Sequence, residues 1–190
     1  MTGSAGRVLA SAWIIDPMGN HLGPLAMQSP RWGHCSTLLP GKDELEGTAD
    51  DIVLLTGGYD GTGARDDSEV LLLQADPPEF ISVESDTPSS PRFEHSAHPL
   101  DNLNTVILVA GRLDGKLNGI IEQIELQLTD TVSGIKAQSI THQVGELRFP
   151  RHQHGSILFE DSEQPLLLLY GRYGASLGNP HVQYGAEHCR

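Results

Sequence analysis

One phrase occurs three times in the chain, and nothing else constrains the fold as strongly. "SPRWGHCSTLL" spans 29–39, "SPRFEHSAHPL" spans 90–100 and "FPRHQHGSILF" spans 149–159. Each has Pro-Arg, two intervening residues, then His. Pro30, Pro91 and Pro150 set steps of 61 and 59 residues. Even spacing with matched residues is the mark of an internal repeat, whose units are stacked copies of one small structure.

The rest of the unit repeats as well. An apolar run ending in Gly follows each phrase: "DIVLLTGGYDG" (51–61), "NTVILVAGRLDG" (104–115) and "QPLLLLYGRYG" (164–174). The first unit carries an insertion, "KDELEGTA" (42–49), before this run. A third run comes next, "SEVLLLQ" (68–74) and "IIEQIELQL" (120–128). A weaker fourth follows, "FISVE" (80–84) and "AQSITHQ" (137–143). Continuously apolar runs predict strands covered on both faces, and "IIEQIELQL" alternates as a half-buried strand does. No amphipathic helix is evident. High Gly (21) and Pro (12) among short apolar runs predict an all-β chain.

Four strands in a unit of this length is the plan of a β-propeller blade. The sequence resembles kelch repeats. The resemblance rests on Pro-Arg-x-x-His, on the apolar run into Gly57-Gly58 (Ala110-Gly111 and Tyr170-Gly171 in the later units) and on the "EVLLL"-type strand. It covers most of the chain. Two features depart from the family pattern: only one Gly-Gly doublet is present at these run ends, and the usual Trp near the fourth strand is absent. The implied fold is all-β, with kelch-type β-propeller blades of four antiparallel strands. "SAWIIDPMGNHLGPLAMQSPR" (11–31) reads as the second half of a blade, and the C-terminal stretch as the first half of another. The expected organisation is a half blade at about 7–29, blades at 30–90 and 91–149, and a half blade at 150–190. Closed propellers use four to eight blades. The chain is therefore expected to be an incomplete propeller, part of a longer one, or one half of a ring completed by a second copy as a homodimer.

Composition limits the partners. The formal net charge of −13 argues against nucleic acid and against an anionic membrane surface. The acidic stretches 42–51 and 64–69 read as solvated loops. No run reaches the roughly 18 apolar residues of a membrane span, and the first twenty residues lack the apolar core of a signal peptide. A cytoplasmic protein is expected, or a nuclear one. Cys35 and Cys189 have no CxxC partner, which argues against a disulfide framework or a zinc module. Cys35 reads as a packing residue within a strand.

A repeat sets equivalent residues on equivalent sites around an axis. Arg31, Arg92 and Arg151 are thus expected to form part of a ring. In kelch propellers, which this chain resembles, the arginine of this segment often stands near one mouth of the central channel. There its planar fork can grip a carboxylate of a partner. The competing role is to pin neighbouring blades through backbone carbonyls or loop acids. Tyr59, Arg112 and Arg172 follow the glycines where loops emerge, and they extend the candidate partner-binding set. His34, His95 and His154 repeat too, but a repeat separates equivalent residues while a metal needs convergence, so hydrogen bonding between strands is expected. His152 stands where Trp32 and Phe93 stand and reads as filling the same slot. His95 and His98 face opposite ways along an extended chain. Gly57, Gly58, Gly111 and Gly171 are expected to permit close backbone approach.

No metal, no cofactor and no catalytic constellation is expected. "GGYDGTG" lacks the Gly-Lys-Ser/Thr and the helix of a phosphate loop, and no Gly-x-Ser-x-Gly is present. The leading expectation is a protein-interaction module of kelch type receiving an acidic peptide segment. The alternatives are a substrate-holding accessory domain, of a ubiquitin-ligase adaptor or a wybutosine-type tRNA methyltransferase, and a sugar-active propeller enzyme.

Overall fold

The computed structural model describes residues 7–100, 104–159, 166–173 and 187–188, with 172, 173, 187 and 188 as backbone only. Among these residues every regular element is a strand, and no helix is long and apolar enough to cross a membrane. β1 (Ser11–Ile15) and β2 (His21–Ala26) form an antiparallel hairpin. The next four strands are β3 (Cys35–Leu39), β4 (Ile52–Thr56), β5 (Ser68–Leu72) and β6 (Glu79–Ser85). Each pairs antiparallel with the one before, making a four-stranded blade.

A second blade repeats that order with β7 (Ser96–Leu100), β8 (Thr105–Val109), β11 (Ile120–Thr131) and β12 (Gly134–Glu146). The two-residue strands β9 (Arg112–Leu113) and β10 (Lys116–Leu117) form a small hairpin in its second connection. β13 (Arg151–Phe159) pairs with β14 (Leu166–Tyr173). β15 (Glu187–His188) lies on the other edge of β14, opposite Leu169 and Leu168.

The two blades are joined at their outer edges, where β6 and β12 run parallel from Val83 to Ser85. At the other end of this sheet β3 and β7 lie side by side. The sheet is therefore nearly closed, with an apolar seam inside. Leu39, Ile52, Leu54, Val70 and Leu72 of the first blade meet Val106, Leu108, Ile124, Leu126 and Ala137 of the second. The outer face of the first blade presents Leu55, Leu71 and Phe80 to Leu25 of the hairpin. The outer face of the second presents Val109 and Ile121 to Leu167 and Leu169 of β14. The chain is thus a stack of sheets in an incomplete propeller-like arrangement. β4, β5 and β8 are sandwiched from both sides, which is why "IVLL", "VLLL" and "VILV" show no alternation. β11 and β12 reach further than their apolar runs, to a turn at Thr131–Gly134. Beyond the seam the ladder continues by backbone pairing, helped by Lys42 on Asp130 at 2.8 Å and by Thr131 Oγ1 on Gly134 O at 2.7 Å, and Val132 at the tip is fully exposed.

The glycines that end the second strands bring consecutive blades together. Gly58 N donates to Arg92 O at 2.8 Å, and Gly111 N donates to Arg151 O at 2.9 Å. Both have φ near +108°. Gly57 has φ +58°, and Ala110 holds the same backbone at +60° in the second blade. The missing second Gly-Gly doublet is therefore no change of conformation. The difference is space: a Cβ on Gly57 would stand 2.4 Å from Arg92 O. Gly57→Ala is expected to destabilise by more than the roughly 1–2 kcal/mol of a left-handed residue alone. Gly47→Ala, at φ +79° in open space, isolates that backbone cost. Urea unfolding of both variants checks it, and equal losses would show that the close approach does not matter.

Candidate interaction surface

The repeated arginines are inside. Arg31 has a fully buried side chain. Its Nη1 donates to Gly57 O at 2.7 Å, and its Nη2 to Glu69 Oε1 at 2.5 Å and Asp67 Oδ2 at 3.1 Å. Glu69 in turn accepts from the backbone N–H groups of Gln28 (2.8 Å) and Ser29 (2.9 Å). The second blade builds the same circuit. Arg92 donates to Ala110 O (3.2 Å), Ile120 O (2.9 Å) and the carboxylate of Glu122, and Glu122 accepts from Ser90 N at 3.0 Å. Each circuit ties the link before Pro-Arg to the end of the second strand and to the third strand. Buried charge is tolerated because each guanidinium is paired with a carboxylate. Arg151 is buried as well; its Nε reaches Phe149 O at 3.5 Å, and among the described residues no carboxylate pairs with it. So Arg31 and Arg92 spend their Nη atoms on carbonyls and carboxylates of their own units, and Arg31 Nε is buried without a hydrogen-bond partner.

The partners Glu69 and Glu122 went unnoticed in the sequence, although a signal was there. Each stands 11 residues after its glycine, Gly58 or Gly111, near the start of a third strand where a buried residue is expected. A carboxylate at that place needs a cation.

The histidines bridge blades. His95 Nε2 lies 3.0 Å from Thr56 Oγ1, and His154 Nε2 lies 2.9 Å from Ser96 Oγ. His98 reaches Ser156 Oγ at 2.7 Å. Burial, then Arg92, pushes the pKa of His95 down to about 3. Burial, then Arg151, pushes His154 down to about 4. His34 is lowered too, chiefly by burial. Both rings are neutral at ordinary pH. Among the described residues no group of three or more His, Cys, Asp or Glu is arranged to hold a metal. The Cys35 thiol donates to His95 O at 3.0 Å, and burial pushes its pKa up to about 11. Cys189 lies outside the described residues.

Of the positions after the repeated arginines, Trp32 is exposed, while Phe93 is buried and His152 nearly so. Trp32 and Tyr59 exchange two backbone hydrogen bonds (3.1 and 2.9 Å), and Phe93 and Arg112 do the same (3.1 and 2.8 Å). The next residues, Gly33, Glu94 and Gln153, all take left-handed backbone (φ +65°, +55° and +48°). They hand a hydrogen bond from blade to blade: Glu94 N to Gly33 O at 2.7 Å, Gln153 N to Glu94 O at 3.0 Å. Strained backbone of this kind persists only where its surroundings hold it.

On this frame sit the side chains of a candidate site. Trp32, Tyr59 and Phe93 form an aromatic triangle with ring centroids 5.2–5.7 Å apart. Arg112 Cζ lies 5.5 Å from the Phe93 centroid, a cation–π geometry, and its Nη1 is 3.8 Å from Glu94. Glu94 is more firmly held by His152 Nδ1 (2.9 Å) and Gln153 Nε2 (2.5 Å). His152 thus shares the slot of Trp32 and Phe93 but spends its ring on a carboxylate. The side chain of Arg112 is 35% exposed, and Trp32 is 44% exposed. The loop beside them is braced by Asp60, whose Oδ1 accepts from Thr62 N, Thr62 Oγ1 and Gly63 N. Those bonds hold its carboxyl well below the usual range. Arg65 bonds both Asp60 and Asp67. Arg172 follows Gly171 in β14; its side chain lies outside the described residues.

No protein-family model and no curated protein sequence matches the chain. The site's own chemistry is three aromatic rings in tilted and edge-on contact, a half-exposed guanidinium and a buried carboxylate between blades.

Proposed function

We propose that the chain is an interaction module of kelch type that receives an acidic partner segment at this end of its blades. The observation that carries the reading is Arg112. It is a half-exposed guanidinium oriented by the Phe93 ring and only loosely engaged by Glu94. A partner carboxylate would displace that 3.8 Å contact with a forked, charge-assisted pair. The aromatic triangle beside it supplies rigid apolar area of the kind that anchors interfaces. A net charge of −13 gives such a partner no long-range attraction, so affinity rests on these short contacts.

A random peptide library selected on the chain tests the reading. Enriched peptides are expected to contain Asp or Glu and to lose about tenfold in affinity, roughly 1.4 kcal/mol, against Arg112→Ala. Arg148→Ala is the control, since Arg148 stacks on Phe149 elsewhere and is expected to change nothing. Selected peptides without acids, or indifferent to Arg112, would refute the proposal.

A further inference from the structure

Resting on that reading, we infer that the segment bound here carries an aromatic side chain two residues from its carboxylate, and that the aromatic is the stronger anchor. Arg31 and Arg92 are consumed inside the blades, and Arg65 is held by Asp60 and Asp67. Arg112, by contrast, has only a loose partner, Glu94 at 3.8 Å. Two further acids lie in the adjoining loops, Asp60 paired with Arg65 and Asp114 accepting from Ala64 N. A run of acidic residues would set its second and third charges against these carboxylates. One carboxylate fits here; several do not.

The aromatic triangle supplies the other half. Trp32 is 44% exposed while Phe93 beneath it is 5% exposed. Its backbone is clamped to Tyr59 on both sides, and its ring rests on two others, at 5.7 and 5.3 Å. An indole already immobilised loses little freedom on binding, which is what makes a strong anchor. Its open face matches a flat, apolar side chain in offset or edge-on contact.

Geometry sets the spacing. Trp32 to Phe93 is 5.3 Å and Phe93 to Arg112 is 5.5 Å, so the guanidinium stands within about three extended residues of the indole at 3.3–3.6 Å per residue. In an extended segment, residues i and i+2 point to the same side. Aromatic and acid separated by one residue would reach Trp32 and Arg112 together, in either chain direction.

An array of short peptides tests this, each with one Phe and one Glu at separations from adjacent to four residues apart, in both orders. Phe→Ala and Glu→Gln versions accompany each. The chain has two tryptophans, so a Trp13→Phe background lets Trp32 fluorescence report binding. The expected optimum is one intervening residue. Phe→Ala is expected to weaken binding more than tenfold, and Glu→Gln by about threefold to tenfold. Trp32→Leu, with its melting checked and its binding followed by calorimetry because the reporter is gone, is expected to erase the preference for Phe while leaving the preference for Glu. Binding that depends on Glu but not on Phe or spacing overturns this inference and leaves the acidic-partner reading standing. Binding of no member overturns both.

Discussion

Glu122→Gln is expected to destabilise the chain by about 3–5 kcal/mol, the cost of leaving a buried charge without its partner. Arg92 has no exposed side-chain surface, and Glu122 is nearly as buried. The amide that replaces the carboxylate keeps the shape but not the charge, and it faces Arg92 and Ser90 N with one acceptor oxygen. Burial already pulls the pKa of Arg92 down, and Glu122 is what sustains its charge. Glu69→Gln is expected to act alike through Arg31. Losses of this size are a large share of the 5–15 kcal/mol that folded domains possess, so urea unfolding should show them plainly. The joint variant Arg92→Met with Glu122→Leu separates charge from packing. It is expected to be more stable than Glu122→Gln, because no lone charge stays buried. It falls short of the native chain, because Ala110 O and Ile120 O lose a donor. A loss below about 1 kcal/mol for Glu122→Gln would mean that these pairs are ornamental.

The second large effect is acid sensitivity that begins near pH 6.5. His95 and His154 have folded pKa values of about 3 and about 4, below the ordinary 6.5. Between those values the unfolded chain binds protons that the folded chain refuses. Stability is therefore complete above pH 6.5 and is lost as pH falls toward 4. Each histidine contributes a slope of about 1.4 kcal/mol per pH unit, so the pair gives roughly 2–3 kcal/mol per unit. The neighbours do not relieve this: Arg92 and His34 face His95, and Arg151, His98 and His152 face His154, all disfavouring a further positive charge. Asp67, whose pKa is lowered by Arg65 and Arg31 against its burial, adds its own loss only below the carboxylate range. Melting temperatures at pH 7.5, 6.5, 5.5 and 4.5 measure the slope. His95→Gln is expected to flatten it by about half. A flat profile down to pH 5 would show that these rings are protonated in the fold.

Local pattern made the strands legible. Four runs per unit, glycines at the ends of the second runs and continuous apolarity in "IVLL" and "VILV" follow from the backbone and from coverage on both faces. Those properties belong to short segments, and a sequence displays short segments directly. The repeat also announced that Arg31, Arg92 and Arg151 occupy one position of the unit. It did not say what surrounds that position, because an arginine pattern reads the same whether the fork meets a partner or a buried glutamate.

That choice lay with residues far along the chain. Glu69 and Glu122 reach their arginines only once the third strand is laid beside the second. The aromatic triangle is assembled from positions 32, 59 and 93, across two blades. Glu94, His152 and Gln153 converge through the blade-to-blade hydrogen bonds of a left-handed backbone. By itself the sequence determined the unit, its strands and its all-β class, since these depend on neighbours within a few residues. The tertiary stack alone decided which repeated side chains are structural and which meet solvent, because burial and pairing depend on sheets that the chain brings together from 30 to 60 residues apart.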